Sequence, residues 1–228
     1  MTDRGPSAPA SADGTRQVEG ARAVVLARIR AALADAPVSE PVPRDYRRTG
    51  NLGRDEVLAL FQERTEEYRA TVHQVLSAQA GPTIDAALAA DGITSVVIPA
   101  GLPVDWRPSA ARVIEDGGED APLSHDDLDG VAGVVVGAAV GIAETGTIVL
   151  DGSPEQGRRV ITLLPDHLTC VIRASQIEQT VPQALARLDG TRALTFISGP
   201  SATSDIELNR VEGVHGPRVL VVVILKDS

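Results

Sequence analysis

Apolar residues recur in the first third of the chain with the spacing of one-sided helices. Between Ala21 and Ala34 they fall at i, i+4, i+7 and i+8, which predicts a helix over this segment. Three prolines within Pro37–Pro43 then interrupt regular structure. A second apolar stripe predicts another helix over Arg54–Glu67, whose remaining positions are polar and of mixed charge.

From Gly81 onward, short runs rich in Val and Ile alternate with helical patterns. Runs of this length, bounded by glycine, proline and polar residues, are typical of buried strands. The segment Thr71–Leu76 is compatible with a strand or a helix. The predicted strands are Ser95–Pro99, Arg112–Glu115, Val131–Val136, Gly141–Leu150, Leu168–Arg173, Leu194–Ile197 and Val219–Leu225, and the predicted helices are Thr83–Ala90, Pro154–Leu164 and Pro182–Leu188.

This alternation predicts an α/β sheet covered on both faces, in a single domain over residues 68–228. A helical arm over residues 21–67 precedes it. Residues 1–20 are rich in Ala, Ser, Gly, Asp and Pro and have no apolar run, so they predict a disordered tail rather than a signal peptide. Aromatic residues make up only 2% of the chain, so the core must consist of aliphatic side chains.

Charge and hydropathy exclude two kinds of partner. The formal net charge of −10 at pH 7 argues against nucleic acid, because phosphate contacts need clustered Lys and Arg. The run Val131–Leu150 is twenty residues long and mostly apolar, but it contains Glu144 and has no Lys or Arg at either end. We therefore predict buried strands there, no membrane span, and a cytoplasmic protein.

Cys170 is the only cysteine of the chain. One thiol cannot supply the four thiolates that an iron–sulfur cluster usually needs, so no cofactor is expected in this chain. The apolar run Leu168–Ile172 around it predicts a buried structural thiol rather than a nucleophile.

A single carboxylate, Glu144, stands in the apolar stretch 130–150. Burial penalises the ionised form of a carboxylate, so this side chain needs a partner or a ligand. Thr145 and Gly146 predict a turn in which glycine supplies a positive φ. Glu144 is therefore a candidate catalytic residue, and Thr145, Gly146 and Thr147 are candidate ligand-binding residues.

A second polar loop, SGPSATSDIE at Ser198–Glu207, follows a predicted strand. Backbone N–H groups of such a Gly- and Ser-rich loop can hold an anion. The alternative is that Ser204 caps a short helix and Glu207 completes a capping box. The candidate ligand-binding residues of this loop are Gly199, Ser201, Thr203, Ser204, Asp205 and Glu207.

Two further side chains carry possible site chemistry. His215 precedes the last predicted strand, and histidine titrates nearest neutrality, so it is a candidate acid–base residue. Arg158, followed by Arg159, comes after a glycine-containing loop and is a candidate clamp for a carboxylate or phosphate; the alternative is a solvated helix start. The four histidines lack metal-ligand spacing, so we predict no metal site.

Four motifs together resemble the LUD-domain proteins, most closely the lactate-utilisation protein C group. They are AETGTIVLD at Ala143–Asp151, GR…LLPDH at 157–167, SGPSATSDIE at Ser198–Glu207 and GVHGP at Gly213–Pro217. Glu212 departs from the aliphatic residue expected there. The resemblance implies an α/β fold similar to the superfamily of ribose-phosphate isomerases, glucosamine-phosphate deaminases and CoA transferases. It also implies association with a bacterial system that oxidises L-lactate to pyruvate, whose cysteine-rich partner proteins carry the iron–sulfur centres.

Three hypotheses follow, and the resemblance does not decide what the chain itself catalyses. In the first, an accessory subunit binds a small anion between the two polar loops, Arg158 clamps it, and Glu144 or His215 moves a proton. In the second, a free-standing enzyme acts on a sugar phosphate or acyl-CoA. Glu144 is then the base or nucleophile, by analogy with CoA transferases that use a glutamate. In the third, the chain is a structural subunit whose polar loops are caps and turns.

Overall fold

The computed structural model describes residues 13–34, 41–117, 121–203, 211–212 and 216–227. The chain separates into two compact units, Met1–Asp45 and Tyr46–Ser228. In the first unit, α1 spans Asp13–Ala32, so the helix begins at Asp13 rather than at Ala21. The remainder of the predicted tail, residues 1–12, lies outside the described residues.

The second unit contains four helices and twelve strands among the described residues. The helices are α2 (Arg54–Glu67), α3 (Ala80–Ala90), α4 (His125–Asp129) and α5 (Val181–Leu185). The strands are β1 (Thr71–Val75), β2 (Ser95–Pro99), β3 (Arg112–Asp116), β4 (Gly133–Gly137), β5 (Val140–Ile142), β6 (Thr147–Leu150), β7 (His167–Arg173), β8 (Ile177–Glu178), β9 (Thr195–Ile197), β10 (Ala202–Thr203), β11 (Val211–Glu212) and β12 (Val219–Leu225). Thr71–Leu76, which the sequence left open, is thus a strand.

Six of these strands form a parallel sheet in the order β1-β12-β7-β4-β2-β3. Its central register places Cys170 of β7 between Val222 of β12 and Val136 of β4. A second sheet has the order β8-β5-β6-β9, and its inner strands β5 and β6 form an antiparallel hairpin. Strands β10 and β11 pair with each other. The predicted α/β fold with a covered parallel sheet is confirmed.

The two faces of the parallel sheet enter two different cores. On one face, α2 contributes Val57, Leu58 and Phe61 to a buried cluster. The residues of β4, β7 and β12 that point towards α2 complete this cluster. On the other face, α3 packs on the alternate residues of the same strands. Strands buried on both sides are rich in β-branched residues because no position faces water. The predicted division after residue 67 differs from this structure, because α2 belongs to the core of the second unit.

Two predicted elements differ from the structure, and one helix was missed. The run Gly141–Leu150 is the β5–β6 hairpin rather than one strand. Pro154–Leu164 contains only a 3₁₀ turn at Arg159–Thr162 instead of a helix, because the preceding loop needs a positive φ at Gly157. Helix α4 was not predicted at all, although Ser124 and Asp127 cap it reciprocally.

The long apolar run is internal to the fold. Val131–Leu150 supplies β4, β5 and β6, whose residues are all buried, so the prediction of buried strands is confirmed. In the described part of the chain, none of the helices combines enough length with enough apolar character to cross a bilayer.

Cys170 is fully buried in the centre of β7, as predicted for a structural thiol. Burial raises the pKa of this thiol to about 12. At neutral pH the group therefore stays protonated, and it has neither the charge nor the access of a metal ligand or nucleophile.

His167 opens β7 as a buried histidine beneath the end of α3. Its Nε2 lies 3.0 Å from Oδ2 of Asp91, which caps α3, and its Nδ1 has no hydrogen-bond partner among the described residues. Burial lowers the pKa of His167, although the hydrogen bond to Asp91 acts in the opposite direction. The folded protein therefore favours the neutral imidazole.

This histidine predicts a loss of stability in mild acid. The unfolded chain takes up a proton near pH 6.5, whereas the folded chain resists protonation until lower pH. The free energy of unfolding should therefore fall as pH drops through about 6.5 and level off below the lowered pKa of the folded state. Urea unfolding of the wild type and of His167→Gln between pH 7.5 and pH 5 measures this. The variant should show a shallower slope; an equal slope would exclude His167 as the cause.

Candidate functional site

The first predicted loop is the turn that joins β5 to β6. Residues Ala143–Thr145 form a 3₁₀ turn, and Gly146 follows it with a φ of +55°. A Cβ at Gly146 would lie 2.6 Å from the carbonyl of Arg64 in the last turn of α2. The predicted turn with a positive-φ glycine is confirmed, and the close approach to α2 gives a second reason for glycine.

The Glu144 side chain is paired with an arginine from a distant part of the chain. Both carboxylate oxygens accept from Arg47 Nη2, at 2.6 and 2.7 Å. Gln179 Nε2 donates to the same carboxylate at 3.3 Å, and the Glu144 N–H donates to the Gln179 carbonyl. The expected partner therefore exists, but no local sequence signal identified Arg47, because 97 residues separate the two.

The segment that carries Arg47 is fixed by side chains near α5. The N–H groups of Gly50 and Leu52 donate to the amide oxygens of Gln183 and Gln179, respectively. Thr180 Oγ1 donates to the Arg48 carbonyl at 3.3 Å. Glu144 thus lies at an ordered polar contact between this segment and the β5–β6 turn.

A chain of hydroxyl groups connects the two predicted loops. Thr147 Oγ1 lies 2.7 Å from Thr145 Oγ1 and 2.7 Å from Ser198 Oγ. Thr147 is buried, so these contacts satisfy its hydroxyl without water. The structure therefore brings the Glu144 turn next to the start of the Ser198 loop.

The second loop also packs against the end of α2. Gly199 has a φ of +83°, and a Cβ there would lie 2.6 Å from Tyr68 Cβ, just beyond α2. The Ser201 N–H donates to the Pro217 carbonyl at 2.7 Å, which ties the loop to the segment before β12. Thr203 pairs with Val211 in the β10–β11 ladder. The candidates Ser204, Asp205, Glu207 and His215 lie outside the described residues, and their roles stay predictions.

Beside this loop is a cavity of about 140 Å³. Its polar lining combines one cation, several hydroxyls and glycine backbone. The lining residues that carry these groups are Arg159, Thr162, Thr195, Ser198, Gly199, Ser201 and Gly216. The volume suits a ligand of few heavy atoms, since sites for drug-sized molecules usually measure about 300–1,000 Å³.

The two adjacent arginines have different environments. Arg158 donates from Nε and Nη2 to the buried carboxylate of Asp116, at 2.9 and 2.5 Å, and from Nη2 to the Leu123 carbonyl. The hydrogen bond to Asp116 raises the pKa of Arg158. Arg158 thus anchors the end of β3. Its role as an anion clamp stays a prediction.

Arg159, unlike Arg158, lines the cavity of about 140 Å³. It donates from Nη1 to Thr162 Oγ1 at 2.8 Å, and no carboxylate of the described ranges lies within 4.0 Å of its guanidinium. Burial lowers its pKa, because partial removal from water disfavours the charged guanidinium. A bound anion would supply a compensating charge.

A larger cavity of about 740 Å³ adjoins the first and shares Arg159, Thr162 and Thr195 with it. It opens at the carboxyl ends of β2 and β3, where ligands of open α/β sheets usually bind. Its lining includes Gln156, whose Oε1 accepts two backbone N–H groups while its buried Nε2 has no partner in the described part of the chain. Sequence reasoning missed Gln156, because nothing local distinguishes it from a surface glutamine.

The described side chains do not form a recognisable metal site. In the ranges that the structure covers, three or more His, Cys, Asp or Glu residues nowhere come together as a metal site.

Comparison with known proteins identifies the chain's relatives. The LUD domain family model matches residues 125–225. Lactate utilization protein C of Deinococcus radiodurans is 44% identical over 178 residues, which are 76% of this chain and 82% of that protein. Uncharacterized protein YkgG of Escherichia coli is 41% identical over 101 residues, 41% of this chain and 43% of YkgG. Lactate utilization protein C of Geobacillus thermodenitrificans is 32% identical, over 47% of this chain and 49% of that protein.

A solved structure agrees with these sequence matches. The crystal structure of a DUF162 family protein from Deinococcus radiodurans superposes with a TM-score of 0.65 at 38% sequence identity. The match covers 77% of this chain and all of that chain. The relatives, the domain and the fold agree with one another, and the chain therefore belongs to the lactate utilization protein C family of LUD-domain proteins.

Proposed function

We propose that this chain is an accessory subunit of a bacterial system that oxidises L-lactate to pyruvate, and that it binds a small organic anion beside Arg159. The observation that carries the proposal is the combination of an arginine that has no carboxylate partner among the described residues and a cavity lined by hydroxyls and glycine backbone. The names of the relatives support the link to lactate, since several are lactate utilization proteins.

The anion in this proposal is a carboxylate of the size of lactate or pyruvate. Arginine binds carboxylates through two parallel N–H donors, and partial exclusion of water strengthens such bonds. Ser198 and Ser201 line the same cavity and supply hydroxyls for the second functional group of a 2-hydroxy or 2-oxo acid. Arg159 takes the clamping role here, because Arg158 already holds Asp116.

The electron-transfer centres of the system are assigned to partner proteins. This chain offers one thiol, and that thiol is buried in β7 with a pKa raised to about 12. A cluster needs several accessible thiolates, so iron–sulfur centres belong on partners that carry them. In such an assembly the anion site positions substrate or product, while oxidation takes place elsewhere.

Removing the Arg159 charge should weaken anion binding specifically. A charge-assisted hydrogen bond contributes about 1.5–3 kcal/mol, so Arg159→Gln should raise the dissociation constant for L-lactate or pyruvate by roughly 10- to 100-fold. Isothermal titration of the purified protein measures this. Arg112→Gln in β3, which makes the same charge change away from both cavities, should bind like the wild type. Equal affinities in all three proteins would contradict the site.

A second pair of variants distinguishes a chemical role of the Glu144 carboxylate from the structural effect of its ion pair with Arg47. Glu144→Gln and Arg47→Gln both remove the ion pair between these residues. The pair is partly exposed, so its loss should cost at most about 1 kcal/mol of stability. If Glu144 moves a proton, Glu144→Gln should abolish growth on L-lactate in a strain lacking the native protein, whereas Arg47→Gln should largely preserve it. Equal growth of the two strains would show that Glu144 does not transfer a proton in the reaction.

A free-standing enzyme is the second candidate function, and the larger cavity favours it. A volume of about 740 Å³ lies in the range of sites for substrates much larger than lactate, such as a sugar phosphate or part of an acyl-CoA. An independent enzyme turns over alone, whereas an accessory subunit needs its cluster-bearing partners. Assays of the isolated chain with such substrates distinguish the two.

A further inference from the structure

Helix α1 has an apolar stripe that no other described helix or strand of its own unit covers. Val25 and Ile29, together with Leu33 directly after the last residue of α1, follow one another at i, i+4 and i+8 and expose 54%, 48% and 62% of their surface. They lie on one side of the helix over about 12 Å, at 1.5 Å per residue. Isolated helices gain most of their stability from packing such a stripe, so this one is expected to have a partner.

The charges around this stripe are all positive. Between Gly20 and Ala34 the charged residues are Arg22, Arg28 and Arg30, with no Asp or Glu. At 100° per residue, Arg28 and Arg30 fall on opposite sides of the stripe. The surface that receives this helix should therefore have an apolar floor and acidic edges.

A groove of matching chemistry lies between α3 and the β1–β12 edge of the sheet. Its volume is about 480 Å³, and small residues of α3, including Ala86 and Ala90, form one wall. Thr71 and Val221 contribute to the opposite side, and Asp91 stands at the end of α3. Small side chains let a helix approach closely. The stretch 70–106, which contains α3, has three aspartates and no Lys or Arg.

We propose that α1 of one chain docks in the α3 groove of a second copy, and that the reciprocal contact closes a symmetric dimer. In this docking mode, the apolar residues at i, i+4 and i+8 of the helix insert into the groove. Exchange of identical elements makes the two contacts equivalent. The charges of the groove and the helix complement each other, and the aliphatic residues meet the small side chains of α3.

A second copy fits this helix better than a lipid surface does. Residues 1–45 contain six Lys and Arg and six Asp and Glu, so residues 46–228 carry the whole net charge of −10. An anionic bilayer would repel such a body. The stripe also lacks Trp and Phe, which are common on the apolar face of interfacial helices.

Size-exclusion chromatography with light scattering on the full chain tests the dimer, and two matched pairs of variants test its contacts. Ile29→Asp places a carboxylate in the stripe, whereas Ala27→Asp places it on the opposite side of α1. Ala86→Lys places a cation in the groove, whereas Ala89→Lys places it on an exposed part of α3 outside the groove. Ile29→Asp and Ala86→Lys should each raise the dimer dissociation constant roughly tenfold or more. The two controls should remain dimeric.

Mixing the two disrupted variants distinguishes reciprocal docking of α1 in the α3 groove from other modes of association. The Ile29→Asp chain keeps an intact groove, and the Ala86→Lys chain keeps an intact helix, so the mixture should recover one of the two contacts and form some heterodimer. A monomeric wild type, or a dimer that survives both disruptive variants, overturns the proposal. If a monomeric wild type sediments with vesicles of phosphatidylcholine and phosphatidylserine in equal parts, α1 is a membrane-surface helix instead.

Discussion

Burial of the parallel sheet on both faces is the constraint on which the rest of this structure depends. Strands β4, β7 and β12 send alternate residues into the α2 core and the α3 core, so their side chains on both faces are almost entirely buried. Polar function is confined to the strand ends and to the loops that leave them. Both cavities that contain Arg159 lie in such loops.

The end of α2 supports the two polar loops at once. Gly146 approaches the backbone of Arg64 and Thr65, and Gly199 approaches Tyr68, each with a positive φ and with no space for a Cβ. The hydroxyl contacts of Thr147 then join the two loops directly. Glycine at these two positions is therefore a requirement of packing as well as of backbone conformation, and it fixes the loops relative to each other.

Sequence reasoning succeeded where the signal was local. Val219–Leu225 and Ser95–Pro99 are continuous apolar runs, and the structure has strands with those bounds. The turn at Gly146 likewise follows from one residue type. Helix α4 carried a local signal, the Ser124 and Asp127 capping pair, but its five residues are too few for a visible apolar period.

The candidate site was less predictable because its contacts join distant segments. Arg47 reaches Glu144, and Arg158 reaches Asp116, across separations that no motif spans. The sequence placed Arg158 and Arg159 side by side as similar cations. Only the fold distinguishes them. Both line the larger cavity, but Arg158 is bound to the buried carboxylate of Asp116, whereas Arg159 also lines the smaller cavity. Motif resemblance supplied the family, but it could not supply this difference.

The most direct test of the account is a crystal structure of the protein soaked with pyruvate or L-lactate. The account predicts density for the ligand in the smaller cavity, with its carboxylate against the Arg159 guanidinium and its second oxygen near Ser198 or Ser201. Density at the Arg47–Glu144 contact instead, or an empty cavity at saturating ligand, would contradict the assignment of Arg159 as the anion-binding residue.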